Sequence, residues 1–178
     1  MRWAEAHARL LERSRDLPTL TASQRAAGNS IIRALETGVP YVNLWGTAGV
    51  GKTFLARHLA HDARCLYLSS PGQPVTETPA ERWVIVDNVK AERREARAVY
   101  NDLYWQQAAA VVVITQARVD DSLFTVQLQL SPEDHACVRS TAEALFPTAS
   151  LPPVNTDFTS LWPLVAACTY SELTEYQG

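Results

Sequence analysis

Between Gly46 and Thr53 the chain reads GTAGVGKT, a G-x-x-x-x-G-K-T spacing of residue types that can hold phosphate. Glycines at both ends let backbone N–H groups turn inward around phosphate oxygens, with Thr47, Ala48, Gly49 and Val50 forming the loop between them. Lys52 would neutralise charge on β- and γ-phosphates and the Thr53 hydroxyl would ligate Mg²⁺. A helix starting there would add its positive end. This chemistry needs an apolar strand before the loop and a helix after it. YVNLW and KTFLARHLA supply those patterns.

The second part of such a site is a carboxylate at the end of a neighbouring apolar strand. RWVIVDN places Asp87 there, after Trp83, Val84, Ile85 and Val86, where it would hold Mg²⁺ through a water. The next residue is Asn88, which can orient a water by hydrogen bonding but cannot take its proton. Slow or partner-assisted hydrolysis is the expectation, with Glu77 and Glu81 in the preceding loop as alternative acids. Thr115 and Gln116, at the end of VVVITQAR, are expected to reach the γ-phosphate or the water, and Arg118 to sense phosphate in its own or a neighbouring subunit. Arg139 is a further candidate for nucleotide contact.

Short apolar runs alternating with helical segments predict a parallel sheet covered on both faces. Strands are expected at 41–45, 65–69, 83–87, 110–115 and 123–130, with helices at 52–62 and 91–107. In the last strand Phe124, Val126, Leu128 and Leu130 alternate with Thr125, Gln127 and Gln129, the pattern of a strand with a wetter face near a sheet edge. Helices are also expected over 2–15, carrying Trp3, His7, Leu10 and Leu11, and from Thr21, where Thr21 and Gln24 have capping-box spacing, to Gly38. Ser131 as N-cap, Pro132 at the first turn and Glu133 with Asp134 at the positive end predict a helix to about 146. A last helix is expected over 159–175.

The 178 residues fit one domain: helices over 1–40, a phosphate-loop core over 41–130 and a helical lid or tail over 131–178. No apolar run is long enough to span a bilayer, and the charged start MRWAEAHARLLERSRD does not read as a secretion signal, so a cytoplasmic, membrane-free protein is expected. Cys65, Cys137 and Cys168 are too scattered for a disulfide framework or metal clip, and His58 with His61 lack a third ligand. A net charge of −3 lacks the global basic footprint of a strong nucleic-acid binder. Arg93, Arg94 and Arg97 could touch phosphates, but Glu92 and Glu95 interleave with them, so an internally paired helix is the expectation.

GTAGVGKTFLA, WVIVDN and VVVITQAR resemble the phosphate loop, magnesium strand and arginine-bearing sensor strand of P-loop ATPases of the AAA+ and STAND groups, NB-ARC-type switches included, over about residues 20–146. The resemblance implies an α/β P-loop NTPase three-layer sandwich of the ASCE division, with a mostly parallel five-stranded sheet and a short C-terminal helical lid. It implies ATP and Mg²⁺ as cofactors, and an ATP-binding regulatory subunit with weak ATPase activity, switching within a multi-protein assembly or homo-oligomer. LWGTAGVGKTFLARHLA and the stretch from Val86 to Thr115 are also similar to replication-initiator and helicase-loader AAA+ proteins, which makes action on nucleic acid the second expectation. A small-molecule kinase is the third. The docking surface of a switch would come from the tail residues Phe158, Leu161, Trp162, Leu164 and Tyr170.

Overall fold

The run AVVVIT is apolar at every position but the last, which suits a strand buried on both faces, and it lies at the centre of the sheet. The computed structural model describes residues 20–61, 64–75, 79–119, 124–147, 149–153 and 160–175; the helix expected over 2–15, Glu77 and Phe158 lie outside them. Five strands, β1 Tyr41–Trp45, β2 Cys65–Leu68, β3 Trp83–Val86, β4 Ala110–Thr115 and β5 Phe124–Gln127, form one sheet in the order β2-β3-β4-β1-β5. Every pairing is parallel. β4 therefore stands between the strand before the phosphate loop and the strand that ends at Asp87.

Helices α1 Ala22–Glu36, α2 Lys52–Leu59 and α3 Arg93–Trp105 accompany this sheet. The crossover from β1 through α2 to β2 runs toward one edge, whereas that from β3 through α3 to β4 runs back. Right-handed connections then put α2 and α3 on opposite faces. On the α3 face, Tyr41, Leu66, Leu68, Val84, Val86, Val111 and Val113 pack with Ala96 and Leu103. The alternate positions Val42, Leu44, Ile85, Val112 and Ile114 are at most 1% exposed, and so belong to the other covered face.

β5 is an edge strand with Phe124 and Gln127 exposed and Val126 buried. It ends before the expected residue 130: Leu128 still donates its N–H to Trp45 O at 2.8 Å, but the strand pairing stops at Gln127. α3 is shorter than the expected 91–107 because Gln107 turns into the left-handed region at φ 64°.

Contacts divide the chain into two compact units, Gln24–Gln129 and a second formed by the segments up to Ser23 and from Leu130 onward. In the second, α4 Pro132–Leu145 and α5 Trp162–Glu175 share a small core of Ala142, Phe146 and Cys168, with Leu145, Leu151 and Val165 against it. The start of α4 is a capping box: the Asp134 N–H donates to Ser131 Oγ at 3.2 Å and the Ser131 N–H to Asp134 Oδ2 at 2.8 Å. Asp134 Oδ1 also accepts the Ser23 N–H at 3.1 Å. Arg139 donates to Glu143 at 2.9 Å and to the Pro152 carbonyl at 2.5 Å, within this same unit. No helix among the described residues is long and apolar enough to cross a membrane.

Burial alone would raise the Asp134 pKa, but hydrogen bonds from Ser23, Ser131 and Thr21 together hold it below its ordinary 3.8. A carboxyl that is a stronger acid folded than unfolded stabilises the fold above its unfolded pKa and loses that contribution as pH falls through the folded one. Melting curves should show Asp134→Asn costing about 1–2 kcal/mol at pH 7 and progressively less as pH falls through the folded pKa, below 3.8. A difference that does not depend on pH would contradict the charged cap.

Candidate functional site

The phosphate loop leaves β1 at Gly46 and enters α2 at Lys52. Gly49 and Gly51 take φ of 83° and 88°, values that suit glycine alone at little cost and that turn the chain into the helix. Gly46 is needed for a different reason: a Cβ there would collide with the backbone carbonyl of Leu128, just past the end of β5. From α1, Gln24 Nε2 reaches Gly51 O at 3.4 Å.

Lys52 is 9% exposed, and its ammonium donates to Gly46 O at 2.6 Å and Thr47 O at 2.8 Å. Burial pushes its pKa down, and the negative charge of Asp87 opposes that. The cation is thus held inside the ring of backbone that the glycines turn.

Asp87 is 3% exposed at the end of β3. Its Oδ2 accepts the Thr53 hydroxyl at 2.6 Å and the Tyr67 hydroxyl at 3.0 Å, while Oδ1 accepts the Asn88 N–H at 2.8 Å. Burial first, and then the Asp87 charge, push the Tyr67 pKa up to about 12, so the phenol stays a donor at neutral pH. Arg57 of α2 lies 5.8 Å from the centre of the Tyr67 ring. A hydroxyl beside a carboxylate at the mouth of a phosphate loop is an oxygen donor set that fits Mg²⁺, with Thr53 and Asp87 as the residues that would hold it. Bound there with nucleotide, the ion would supply charge neutralisation between phosphates.

Asn88 takes the left-handed conformation at φ 56°, which asparagine tolerates better than most residues, and its Nδ2 donates to Ser69 O at 2.9 Å. Its Oδ1 is the atom left to accept. Ser69 is fixed in turn by Gln73 Oε1, which accepts from the Ser69 N–H at 2.5 Å and the Ser69 hydroxyl at 2.8 Å.

Thr115 differs from the sequence expectation of a side chain turned to phosphate. It is 2% exposed; its hydroxyl donates to Ala117 O at 2.6 Å and accepts from Asn43 Nδ2 at 2.9 Å. Asn43 is fully buried inside β1, and its Oδ1 accepts the Val119 N–H at 3.2 Å, so the pair fixes the turn that carries Gln116 and Arg118. Both of those side chains are exposed. Glu81 lies before β3, a strand of roughly 13 Å away from Asp87 at its other end, so it is not beside this site.

Sequence reasoning missed Tyr67 and Asn43. Tyr67 sits in CLYL, which reads as plain core, although a tyrosine one strand away from Asp87 is a usable signal. Asn43 is the lone carboxamide in YVNLW, and a buried carboxamide must find partners.

These features define an α/β fold of the P-loop NTPase kind, with the all-parallel sheet and inserted β4 described above. Two solved structures carry that comparison. A replication initiator, DnaA, bound to AMPPCP and single-stranded DNA aligns at TM-score 0.57 and 14% identity over 89% of this chain and 64% of its own. A DNA replication initiation factor aligns at TM-score 0.58 and 14% identity over 92% of this chain and 65% of its own. The chain therefore spans just under two thirds of both. A STAND protein with a tetratricopeptide repeat sensor from Pyrococcus horikoshii aligns at TM-score 0.43 and 16% identity, over 86% of this chain and 29% of its own, and carries no weight. No family model matches the sequence, and no curated protein matches it.

The contact between Gly46 and Leu128 makes a measurable demand. Gly46→Ala should destabilise by about 1–3 kcal/mol, because the obstruction is backbone and cannot swing away. Gly72→Ala, where a Cβ meets nothing within 4 Å, is the control and should leave the melting temperature unchanged. Equal melting temperatures for the two variants would refute the close approach.

Proposed function

We propose that the chain is an ATP-binding regulatory subunit whose nucleotide state, more than its turnover, is the output. The observation that carries this reading is Asn88. The position after the magnesium carboxylate holds a carboxamide, locked to Ser69 O and left with one accepting oxygen. Such a group orients a water but cannot accept its proton. General-base catalysis contributes roughly 10²–10⁴-fold, so turnover without it would fall from a typical ~10 s⁻¹ to about 0.1 s⁻¹ or less.

In this reading the loop from Gly46 to Gly51 and Lys52 hold the phosphates of ATP, and Thr53 with Asp87 hold Mg²⁺. Tyr67 positions Asp87 by donating to the oxygen that Thr53 also uses. Gln116 faces the nucleotide in the sensor role, while Thr115 and Asn43 fix the turn that presents it. Arg118 senses phosphate within an assembly of protein partners. ATP would order the segments around Asn88 and Arg118 and so change what the chain docks to, which is how a ligand with different affinity for two states shifts them. The cytoplasm is the compartment this reading assumes. The second reading, an initiator or loader acting on nucleic acid, is supported by the surface of α3.

Two measurements test the switch. Equilibrium ATP binding should be lost in Lys52→Ala. Steady-state phosphate release should be about 0.1 s⁻¹ or less for the wild type and should rise in Asn88→Glu. Asn88→Asp serves as the companion variant, because aspartate accepts the left-handed backbone with less strain. Wild-type turnover of several per second would rule out a switch held in its ATP state. Separately, Tyr67→Phe should raise the Mg²⁺ concentration needed for half-maximal nucleotide binding by about tenfold, the scale at which partners of metal ligands act. An unchanged Mg²⁺ dependence would assign Tyr67 to packing alone.

A further inference from the structure

At 100° per residue, α3 sorts its charges by side. Ala96 and Leu103 turn inward, with Val99 and Tyr100 half-buried beside them. Glu95 and Asp102 fall on one flank, and Glu95 is drawn to Lys90, whose ammonium lies 3.6 Å from Oε2 and whose N–H donates to Oε1 at 3.2 Å. The remaining arc, about 120° wide, holds Arg93, Arg94, Arg97, Asn101, Tyr104 and Trp105, all exposed and without an acid among them. Sequence interleaving with Glu92 and Glu95 suggested a paired helix. Neighbours in sequence lie on different faces, and the cation that Glu95 pairs with is Lys90.

The electrostatics of the helix itself disfavours two of these cations. Arg93 and Arg94 occupy the first turn of the helix, where its own positive end disfavours cations, and Glu92 at the N-cap makes no side-chain cap. Tyr104 is 57% exposed and Trp105 81% exposed. Both belong to a row of ring contacts. Trp105 meets Tyr104 edge-on at 6.0 Å, Tyr104 lies 5.9 Å from Tyr100, and Tyr100 stacks at 4.7 Å on the buried Tyr41 of β1. The aromatic row is thus rooted in the core and ends in solvent.

We infer that this face of α3 binds single-stranded nucleic acid, with Arg94 and Arg97 on phosphates and Trp105 with Tyr104 as a stacking platform for bases. The chemistry selects the ligand. Arginines without intervening acids match a polyanion, and exposed rings beside them match the π-faces of bases, which a duplex keeps stacked and out of reach. A local patch of this kind is compatible with a net charge of −3, because the acids lie on other faces. The inference does not require ATP binding and stands if the nucleotide reading fails.

The test is fluorescence polarisation of the full chain with a labelled oligothymidine of about 20 nucleotides, in 50–200 mM salt, beside a duplex of equal length. The single strand should bind more tightly than the duplex. Trp105→Ala should weaken it by about tenfold, within the range known for loss of one base stack, and Trp105→Phe should restore most of that. Arg94→Ala with Arg97→Ala should lower the slope of log K against log salt by about 1.4, two phosphates at ~0.7 each. Melting temperatures should be unchanged, since these side chains are exposed. No binding at 50 mM salt would overturn the proposal. So would equal duplex binding indifferent to Trp105→Ala. Self-association of the chain that Trp105→Ala abolishes, without oligonucleotide binding, would instead make this face an interface between copies.

Discussion

Asp87 is a carboxylate 3% exposed, and the site is arranged around keeping it there. An ionised group removed from water is costly unless donors replace the lost hydration. Three do so here: the Thr53 hydroxyl from the start of α2, the Tyr67 hydroxyl from β2 and the Asn88 N–H from its own chain. Each comes from a different part of the Gln24–Gln129 unit, so the carboxylate ties the phosphate-loop helix to two strands. The sheet order makes this geometry available. With β4 between β3 and β1, Asp87 ends its strand across a gap from the loop, and Thr53 reaches back over that gap.

The same unit contains a second polar network that meets its needs without charge. Asn43 and Thr115 meet diagonally across the β1–β4 pair, and their hydrogen bonds end on Val113 O, Ala117 O and the Val119 N–H. A buried network that satisfies its members makes the local arrangement specific, because any slip strands a donor or acceptor. Here it fixes the chain just after β4. Thr115 is thereby spent on structure, and the exposed Gln116 and Arg118 are what the turn displays.

How much of this was legible in the sequence follows from what burial does to each residue type. The turn from Gly46 to Gly51 was readable as a turn because its glycines meet backbone constraints that no other residue meets so cheaply, as the positive φ of Gly51 and the Leu128 carbonyl at Gly46 show. β1 and β4 were readable to the residue, being mostly apolar runs, broken in β1 by Asn43 alone, and bounded by turns. Ends set by tertiary contact were not. β5 stops where the Leu128 carbonyl comes against Gly46, and nothing in FTVQLQL marks that point, since the alternation continues past it. Site side chains from strands were hidden for a related reason. In CLYL, Leu66 and Leu68 join the α3-side core while Tyr67 takes the other face and meets Asp87, and only the register with β3 shows that they meet.

α3 carries the strongest consequence of that difference between sequence and space. It begins shortly after Asp87 and Asn88, with Val89 packed in the same core as Ala96 and Leu103, so the loop after Asp87 and this helix share contacts. Lys90 joins them further through its two contacts with Glu95. A change in the backbone at Asn88, which already holds an uncommon φ, would be felt at the first turn of α3, where the arginines stand. Packed interiors transmit displacement because they lack the free volume to absorb it. The physical route from the phosphate site to the exposed face of α3 is therefore short: Asp87, Asn88, Val89 and Lys90, followed by a helix whose inward side is fixed and whose outward side is charged and aromatic.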